Sequence, residues 1–428
     1  MTWQSPIAPG VSWYQATVGE RPEYPAMDGS KEVEVAIIGG GFTGLQAAYN
    51  LAKAGVPVAL IEGARFGDGA SGRNGGQFGT GQRSWPDELE EIVGFERSKA
   101  LFDIAEHAKH YVLDFARGHQ IDMEFLPGQL NVSHKQSYND GYRKSVDAMA
   151  GRYGYEHISF MEKAETAERL GSSHYYCGVR DTGTGHIHPL KLVVGLAKAA
   201  QAAGAQIHEM TPATSIRQSG GKTLIETPFG TLTAKRVLIA TNAYIGNLEP
   251  VTAAHIMPIR SFIGATAPLD AFPDIIPGKE AVADSRFVVR YFRKTPDNRL
   301  LFGGREAYTA DSPRDISVHI RKQIAEIYPA LSNVEITHSW GGSVGITLPR
   351  QPFVREVMPG VMSIGGYSGH GVMLSNYCGK LYADMVTNKD AALDQFASLD
   401  VPSFPGGASL RAPLLFLALS WYALRDRF

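Results

Sequence analysis

The chain has 428 residues, enough for two or three domains, and its 44% hydrophobic and 20% charged composition is that of a globular protein rather than a disordered or membrane-embedded one. A formal charge of −2 gives nothing to attract a nucleic-acid backbone or an anionic membrane, so neither is expected as a partner. The two cysteines, Cys177 and Cys378, lie far apart with no C-x-x-C pair, which argues against a disulfide framework or a cysteine zinc site and fits a reducing, cytoplasmic compartment.

Residues 1–30 carry Pro6, Pro9, Pro22 and Pro25 among scattered aromatics and read as an extended N-terminal arm. They show no basic segment followed by an apolar core, so no signal peptide is expected. Val33 to Ile38 forms an apolar strand running directly into Gly39-Gly40-Gly41-Phe42-Thr43-Gly44. Apolar and small residues then recur at helical spacing from Thr43 to Ala54, Gly55 stops the helix, and Val58 to Ile61 is a second strand ending at Glu62. This is the start of a βαβ unit, whose right-handed crossover makes a parallel sheet.

In Gly39-x-Gly41-x-x-Gly44 the first glycine permits a tight turn and the second lets the backbone approach a pyrophosphate. The third allows helix and sheet to pack closely, while the helix N-terminus offers N–H groups to phosphate. Glu62, about twenty residues on, is placed to accept from ribose hydroxyls. The pattern points to a dinucleotide without separating NAD from FAD. A second glycine-rich loop follows, with Ser71, Gly72, Arg73, Asn74, Gly75, Gly76 and Gln77 as candidate contacts, where glycines let the backbone lie close to a flat ring.

Residues 96–170 read as mostly helical and charged. Leu190 to Ala203 is an amphipathic helix, Gln206 to Glu209 a strand, and Pro228-Phe229-Gly230 a hairpin turn leading into the strand Arg236 to Asn242. Ala213, Thr241 and Asn242 are further candidate cofactor contacts. Residues 255–345 alternate in strand fashion, as in Arg286 to Arg293, where Tyr291 and Arg293 share parity and are candidate catalytic residues. Val361 to Ile364 is a last strand, running into Gly365-Gly366-Tyr367-Ser368-Gly369-His370-Gly371 and a helix from about Val372 to Val386. That helix N-terminus suits the N1–C2=O edge of a flavin, where negative charge appears on reduction. Gly366, Gly369, His370, Gly371 and Val372 are therefore candidate cofactor contacts, and His370 a candidate catalytic group. His186 and His188 alternate like metal ligands, but no third ligand follows at useful spacing, so no metal is expected. The apolar stretch Pro413 to Leu419 is too short to span a bilayer and reads as a packed tail helix.

Taken together, the loop Gly69 to Gln77, His186-Ile187-His188-Pro189-Leu190, Tyr291-Phe292-Arg293, Leu300 to Gly304, Trp340-Gly341-Gly342, Gly366 to Gly371 and the tail from Leu410 to Arg427 resemble the D-amino-acid oxidase and sarcosine oxidase superfamily. Among its members the γ-glutamylputrescine oxidase group is the nearest match. The resemblance covers nearly the whole chain. It implies an α/β FAD-binding domain, Rossmann-like and of the glutathione-reductase type, interrupted by an α+β substrate domain with a mainly antiparallel sheet that roofs the flavin. The expected division assigns 31–95, 171–250 and 340–390 to the FAD domain, 96–170 and 251–339 to the substrate domain, and 391–428 to a tail. The implied reaction is transfer of hydride from an amine carbon to flavin N5, with hydrolysis of the imine to aldehyde and ammonia and reoxidation by oxygen to give peroxide.

Departures from the relatives sharpen that expectation. The resemblance places Met373 where sarcosine-type enzymes hold the substrate carboxylate with lysine, and Val344 where glycine and D-amino-acid oxidases use arginine. A desolvated α-carboxylate needs a cation, so an amine without a nearby carboxylate is expected, although Arg293, Arg305 or Arg73 could serve by another geometry. Ser343 and the Arg73-Asn74 pair stand where relatives attach flavin covalently, so FAD is expected to be non-covalent. Phe302 falls roughly where sarcosine-type enzymes place an oxygen-activating lysine. That leaves open a dehydrogenase passing electrons to a quinone or partner protein, and also a flavin-binding subunit of a larger complex.

Overall fold

The computed structural model describes residues 11–307, 315–389 and 392–407. The strand Lys31–Ile38, the helix Phe42–Lys53 and the strand Val58–Ile61 form the expected βαβ unit, with the two strands parallel and Ile38 opposite Ile61. The first sheet runs in the order Phe353–Met358, Val361–Gly365, Gly230–Ile239, Lys31–Ile38, Val58–Ile61, Gln206–His208. All of its pairings along this path are parallel except that of the edge strand Phe353–Met358. Crossovers leave Lys31–Ile38 in opposite directions, so the chain opens a crevice at the carboxyl end of that strand, which is where open α/β sheets take ligands.

Lys31–Ile38 is apolar on both faces because both are covered. Val35 and Ile37 pack into the large core shared with the helices Phe42–Lys53, Pro189–Ala202 and Gly371–Val386. Ala36 and Ile38 point the other way, into a core with Ile225, Leu232 and Ala234. All three come from the antiparallel hairpin Lys222–Thr227 and Gly230–Ile239, which turns where Pro228-Phe229-Gly230 predicts.

The second sheet is mainly antiparallel and runs Ile336–Ile346, Met257–Thr266, Leu300–Ala307, Tyr291–Lys294, Ala281–Asp284, Leu126–Ser133, Cys177–His186, Gln77–Phe78. Its two faces have different fates. Ile263, Ala265, Leu301 and Trp340 join the same core as Val35 and Ile37, so this face looks toward the first sheet. Phe292, Leu300 and Phe302 pack on Ile320 and Ile324 of the helix Ile316–Ile327, on the far face.

Several expectations change. The run Arg286 to Arg293 is not one strand: pairing begins only at Tyr291, because the Asp284 carboxylate gathers the backbone N–H groups of Arg286 and Arg290, at 3.2 and 2.9 Å, and folds the intervening residues into a loop. Residues 96–170 contain the helices Phe95–Gly118, Asn139–Gly151 and Lys163–Leu170, but also the strands Leu126–Ser133 and Ile158–Met161. The second sheet also takes Gln77–Phe78, Cys177–His186 and Ile336–Ile346, segments lying wholly or partly in pieces assigned to the other domain, since their pairing partners rather than their neighbours in sequence decide where they sit. The N-terminal segment is not extended throughout: Ser12 caps a short helix, Trp13–Thr17, with Gln15 completing the capping box. The apolar tail from residue 408 onward lies outside the described residues. Among those described, no helix is long and apolar enough to cross a membrane.

Candidate active site

The three glycine segments converge at the crevice. A β-carbon on Gly44 would lie 1.9 Å from the Gly39 carbonyl oxygen, so only glycine lets the helix start this close to the strand end. The Glu62 carboxylate accepts from Gly40 N at 2.7 Å and from Ala64 N at 2.9 Å. Burial raises its pKa and those N–H groups oppose the rise. Ser71 Oγ accepts from Phe42 N at 3.1 Å, tying the second segment to the first helix turn. Thr43 Oγ1 and Tyr367 Oη are 2.8 Å apart, tying the first segment to the third. Asn242 Oδ1 accepts from Gly366 N at 2.9 Å. Ala213 is half-buried against the hairpin-side core, just past Thr211, whose N–H donates to the Glu62 carbonyl.

These residues suit an FAD cradle on an observation independent of the motif. The Thr241 hydroxyl is buried at the crevice, beside Gly39, and finds no hydrogen-bond partner among the described residues. A buried hydroxyl without a partner costs about 1–3 kcal/mol, and a polar ligand removes that cost.

The Ser71 to Gln77 loop is held from above by the second sheet. Arg73 Nε donates to the Gly341 carbonyl at 2.7 Å and the Arg73 carbonyl accepts from Trp340 Nε1 at 3.0 Å. Burial lowers the Arg73 pKa, with the nearby Tyr244 and Asp68 countering it. Asn74 works within the loop: Nδ2 donates to the Ala70 and Ser71 carbonyls, and Oδ1 accepts from Gly76 N. Gln77 Nε2 donates to the Val282 carbonyl at 2.7 Å.

Tyr291 and Arg293 do share a face, and it is the one turned to this loop. The Tyr291 ring lies over Gly75 and Gly303, with its hydroxyl 3.1 Å from Ser261 Oγ. Arg293 is 2% exposed, and its guanidinium donates to the Gly75 carbonyl at 2.8 Å, the Ile187 carbonyl at 2.9 Å and Tyr14 Oη at 3.1 Å. Its remaining named contact is His186 Nδ1, also at 3.1 Å. Arg293 thus fastens the loop to the sheet, with Nε, Nη1 and Nη2 all engaged there.

His370 sits half-buried at the head of the helix Gly371–Val386, with Nε2 2.9 Å from the Thr80 carbonyl. A carbonyl only accepts, so Nε2 carries the proton and Nδ1 is the acceptor nitrogen. Burial first, then the Arg83 charge, lowers its pKa to about 4, so the ring is neutral at pH 7. Thr80 and the buried residues behind it form a polar chain that sequence reasoning missed. The Thr80 hydroxyl bonds Glu106, Glu106 pairs with Lys109 at 2.9 Å, and Lys109 Nζ and then Asp181 meet Tyr155 Oη at 3.2 and 2.6 Å.

The other residues singled out in the sequence have structural surroundings. His188 caps the helix Pro189–Ala202, accepting from Lys191 N, and its ring lies against Trp13 and Tyr14. His186 Nε2 donates to the Lys279 carbonyl. Among the described residues no three metal-binding side chains come together. Met373 is buried in the main core and Val344 packs near Met257 and Ile259. Phe302 stacks on Phe292, centroids 5.3 Å apart, on the far face of the second sheet, so its identity carries no information about oxygen at the flavin. The Arg305 side chain lies outside the described residues. A surface cleft of about 530 Å³, bordered by His174, Phe272 and Tyr328, shares none of these segments.

Comparison with known proteins agrees with this geometry. The family described as DAO, FAD-dependent oxidoreductase, matches residues 34–385. The probable oxidoreductase OrdL of Rhizobium meliloti (strain 1021) is 68% identical over 428 residues, the whole of both chains. The gamma-glutamylputrescine oxidoreductase of Escherichia coli (strain K12) is 32% identical over 97% of this chain and 98% of its own. Among solved structures, glycine oxidase from Geobacillus kaustophilus superposes with a TM-score of 0.71 at 23% identity, covering 87% of this chain and all of that one, which bears on the fold.

Proposed function

The chain belongs to the DAO family of FAD-dependent oxidoreductases, as an enzyme acting on C–N bonds, and from that premise we propose that it oxidises an amine whose reacting carbon bears no carboxylate, with γ-glutamylputrescine the first candidate. The observation that carries this reading is the fate of the cations. Arg293 is consumed by the loop it fastens, and Met373 and Val344 are apolar residues packed in cores. None of these three positions therefore offers an α-carboxylate beside the flavin the bidentate partner that its desolvation requires. The likeness to a gamma-glutamylputrescine oxidoreductase over nearly the full length supports the same substrate class.

Bound FAD supplies the acceptor for the hydride that leaves the amine carbon. The protein's own part is to hold and to exclude. Thr241, Glu62 and the first turn of the helix Phe42–Lys53 are the groups to hold the dinucleotide, and the Tyr291 ring closes the loop from above. Neutral His370 and the N-terminus of the helix Gly371–Val386 would be the groups to stabilise negative charge on the reduced flavin. The proposal includes non-covalent FAD, aldehyde and ammonia as products, oxygen as acceptor, and a cytoplasmic location, which the two buried free cysteines suit.

Anaerobic mixing with γ-glutamylputrescine, putrescine, sarcosine and glycine tests the reading by loss of oxidised-flavin absorbance. The first should bleach the flavin fastest. Bleaching by glycine or sarcosine with none by the two amines would sink it. Acid precipitation should leave the yellow colour in the supernatant, and peroxide formed in air at the rate of turnover identifies oxygen as the acceptor.

A further inference from the structure

We propose that Gln129 holds the substrate's amine nitrogen, its side-chain oxygen accepting a hydrogen bond from the amine N–H; this rests on the amine-oxidising reading above. Gln129 lies on the strand Leu126–Ser133 of the second sheet and is 8% exposed. Its Oε1 is buried without a hydrogen-bond partner among the described residues, while Nε2 makes one long contact, 3.4 Å, to Asn131 Oδ1. An orphaned buried acceptor asks for a donor, and a substrate amine is one.

Its position points to the same place as the site. A β-carbon on Gly79, two residues beyond the Ser71 to Gln77 loop, would stand 3.6 Å from Gln129 Oε1 and 2.8 Å from His370 Cε1. The carboxamide and the imidazole thus flank one small notch at Gly79, on the side of the second sheet that roofs the crevice. The backbone aims Gln129 there. Pairing between Leu126–Ser133 and Cys177–His186 slips between Pro127 and Gln129, a bulge that turns the strand. Gly128 makes the bulge with φ +93, and a β-carbon on it would meet Glu280 Cγ at 2.7 Å.

A neutral acceptor also suits the chemistry. Hydride leaves readily from the carbon of a free amine and not from that of an ammonium ion, and a carboxamide binds N–H without the preference for ammonium that a carboxylate has.

The test compares wild type, Q129L and Q129E as FAD-loaded proteins in anaerobic stopped flow with γ-glutamylputrescine and putrescine. Q129L should raise the apparent Kd for the amine about tenfold, with the FAD spectrum and FAD affinity unchanged and Tm no lower. Q129E, nearly isosteric, should keep binding but move the pH at which flavin reduction reaches half its limiting rate upward by about one pH unit, because its carboxylate stabilises the bound ammonium. If Q129L fails to fold, that pH profile decides the matter. Unchanged constants and an unchanged profile overturn the contact alone, as does weakened FAD affinity with an unaltered amine Kd. Wild-type protein bleached by neither amine overturns the functional reading and the contact with it.

Discussion

Arg293 shows how a residue of the right type can be spent on structure. Replacing it with methionine leaves the Gly75 and Ile187 carbonyls and Tyr14 Oη without their donor. Stability should fall by about 3 kcal/mol, read as a lower urea midpoint, together with faster FAD release. Gly44→Ala should act on the cofactor itself. The methyl group meets the Gly39 carbonyl, so the strand–helix junction must open, and the purified protein should retain at most a tenth of the wild-type flavin absorbance at equal FAD. The buried histidines set a pH dependence. His370 titrates at about 4 and His188 at about 3, burial being the main cause in each, and His186 is also held well below the usual range. An unfolded histidine titrates near ~6.5, so as pH falls from there the unfolded chain binds more protons and stability drops. Asp181, raised to about 6 mainly by burial, opposes this at the lower end of the window, as do Glu62, Glu88, Glu209 and Asp284, but burial also lowers His119, His174, His208, His255 and His338, so the histidines outnumber the carboxylates. Tm should therefore fall between pH 6.5 and 4, and His188→Gln should flatten that fall.

At the scale of elements, the loops that matter are made by single side chains or single glycines inside apolar runs. Asp284 converts part of an alternating stretch into a loop by capturing two backbone N–H groups, and Gly128 converts part of a strand into a bulge. The second was legible in principle, since a glycine within a strand pattern signals a bulge; the first was not, because an aspartate in a strand pattern has no local signature of what it will bind. The short helix Trp13–Thr17 was hidden for a related reason. Five residues cannot sustain a helix on propensity, and this one stands because Trp13 and Tyr14 bury against His188 and Trp340. Trp13→Ala should therefore cost about 3–5 kcal/mol, seen in chemical denaturation, and should weaken FAD retention through the Tyr14 hydroxyl that Arg293 contacts.

At the scale of the whole molecule, the cofactor crevice is lined by three segments more than a hundred residues apart at the extremes, with the second sheet gripping the middle one at Arg73. FAD should bind the folded chain only, so removing it from protein held at a thousandfold excess over Kd should lower stability by about 4 kcal/mol, measured as a drop in Tm on deflavination. The βαβ unit, its glycines and Glu62, the late strand–turn–helix and the hairpin were all readable along the chain, because each rests on local periodicity and on backbone conformations only glycine takes freely. The family's cofactor and bond type were readable too, since the resemblance to the family is carried by those same local segments. Which strands share a sheet, that Arg293 is occupied while Gln129 Oε1 has no partner among the described residues, and that Phe302 packs on the far face of the second sheet were decided only by the tertiary structure. Those facts depend on partners distant in sequence, on bulges that reset which way a side chain points, and on which buried groups find a mate.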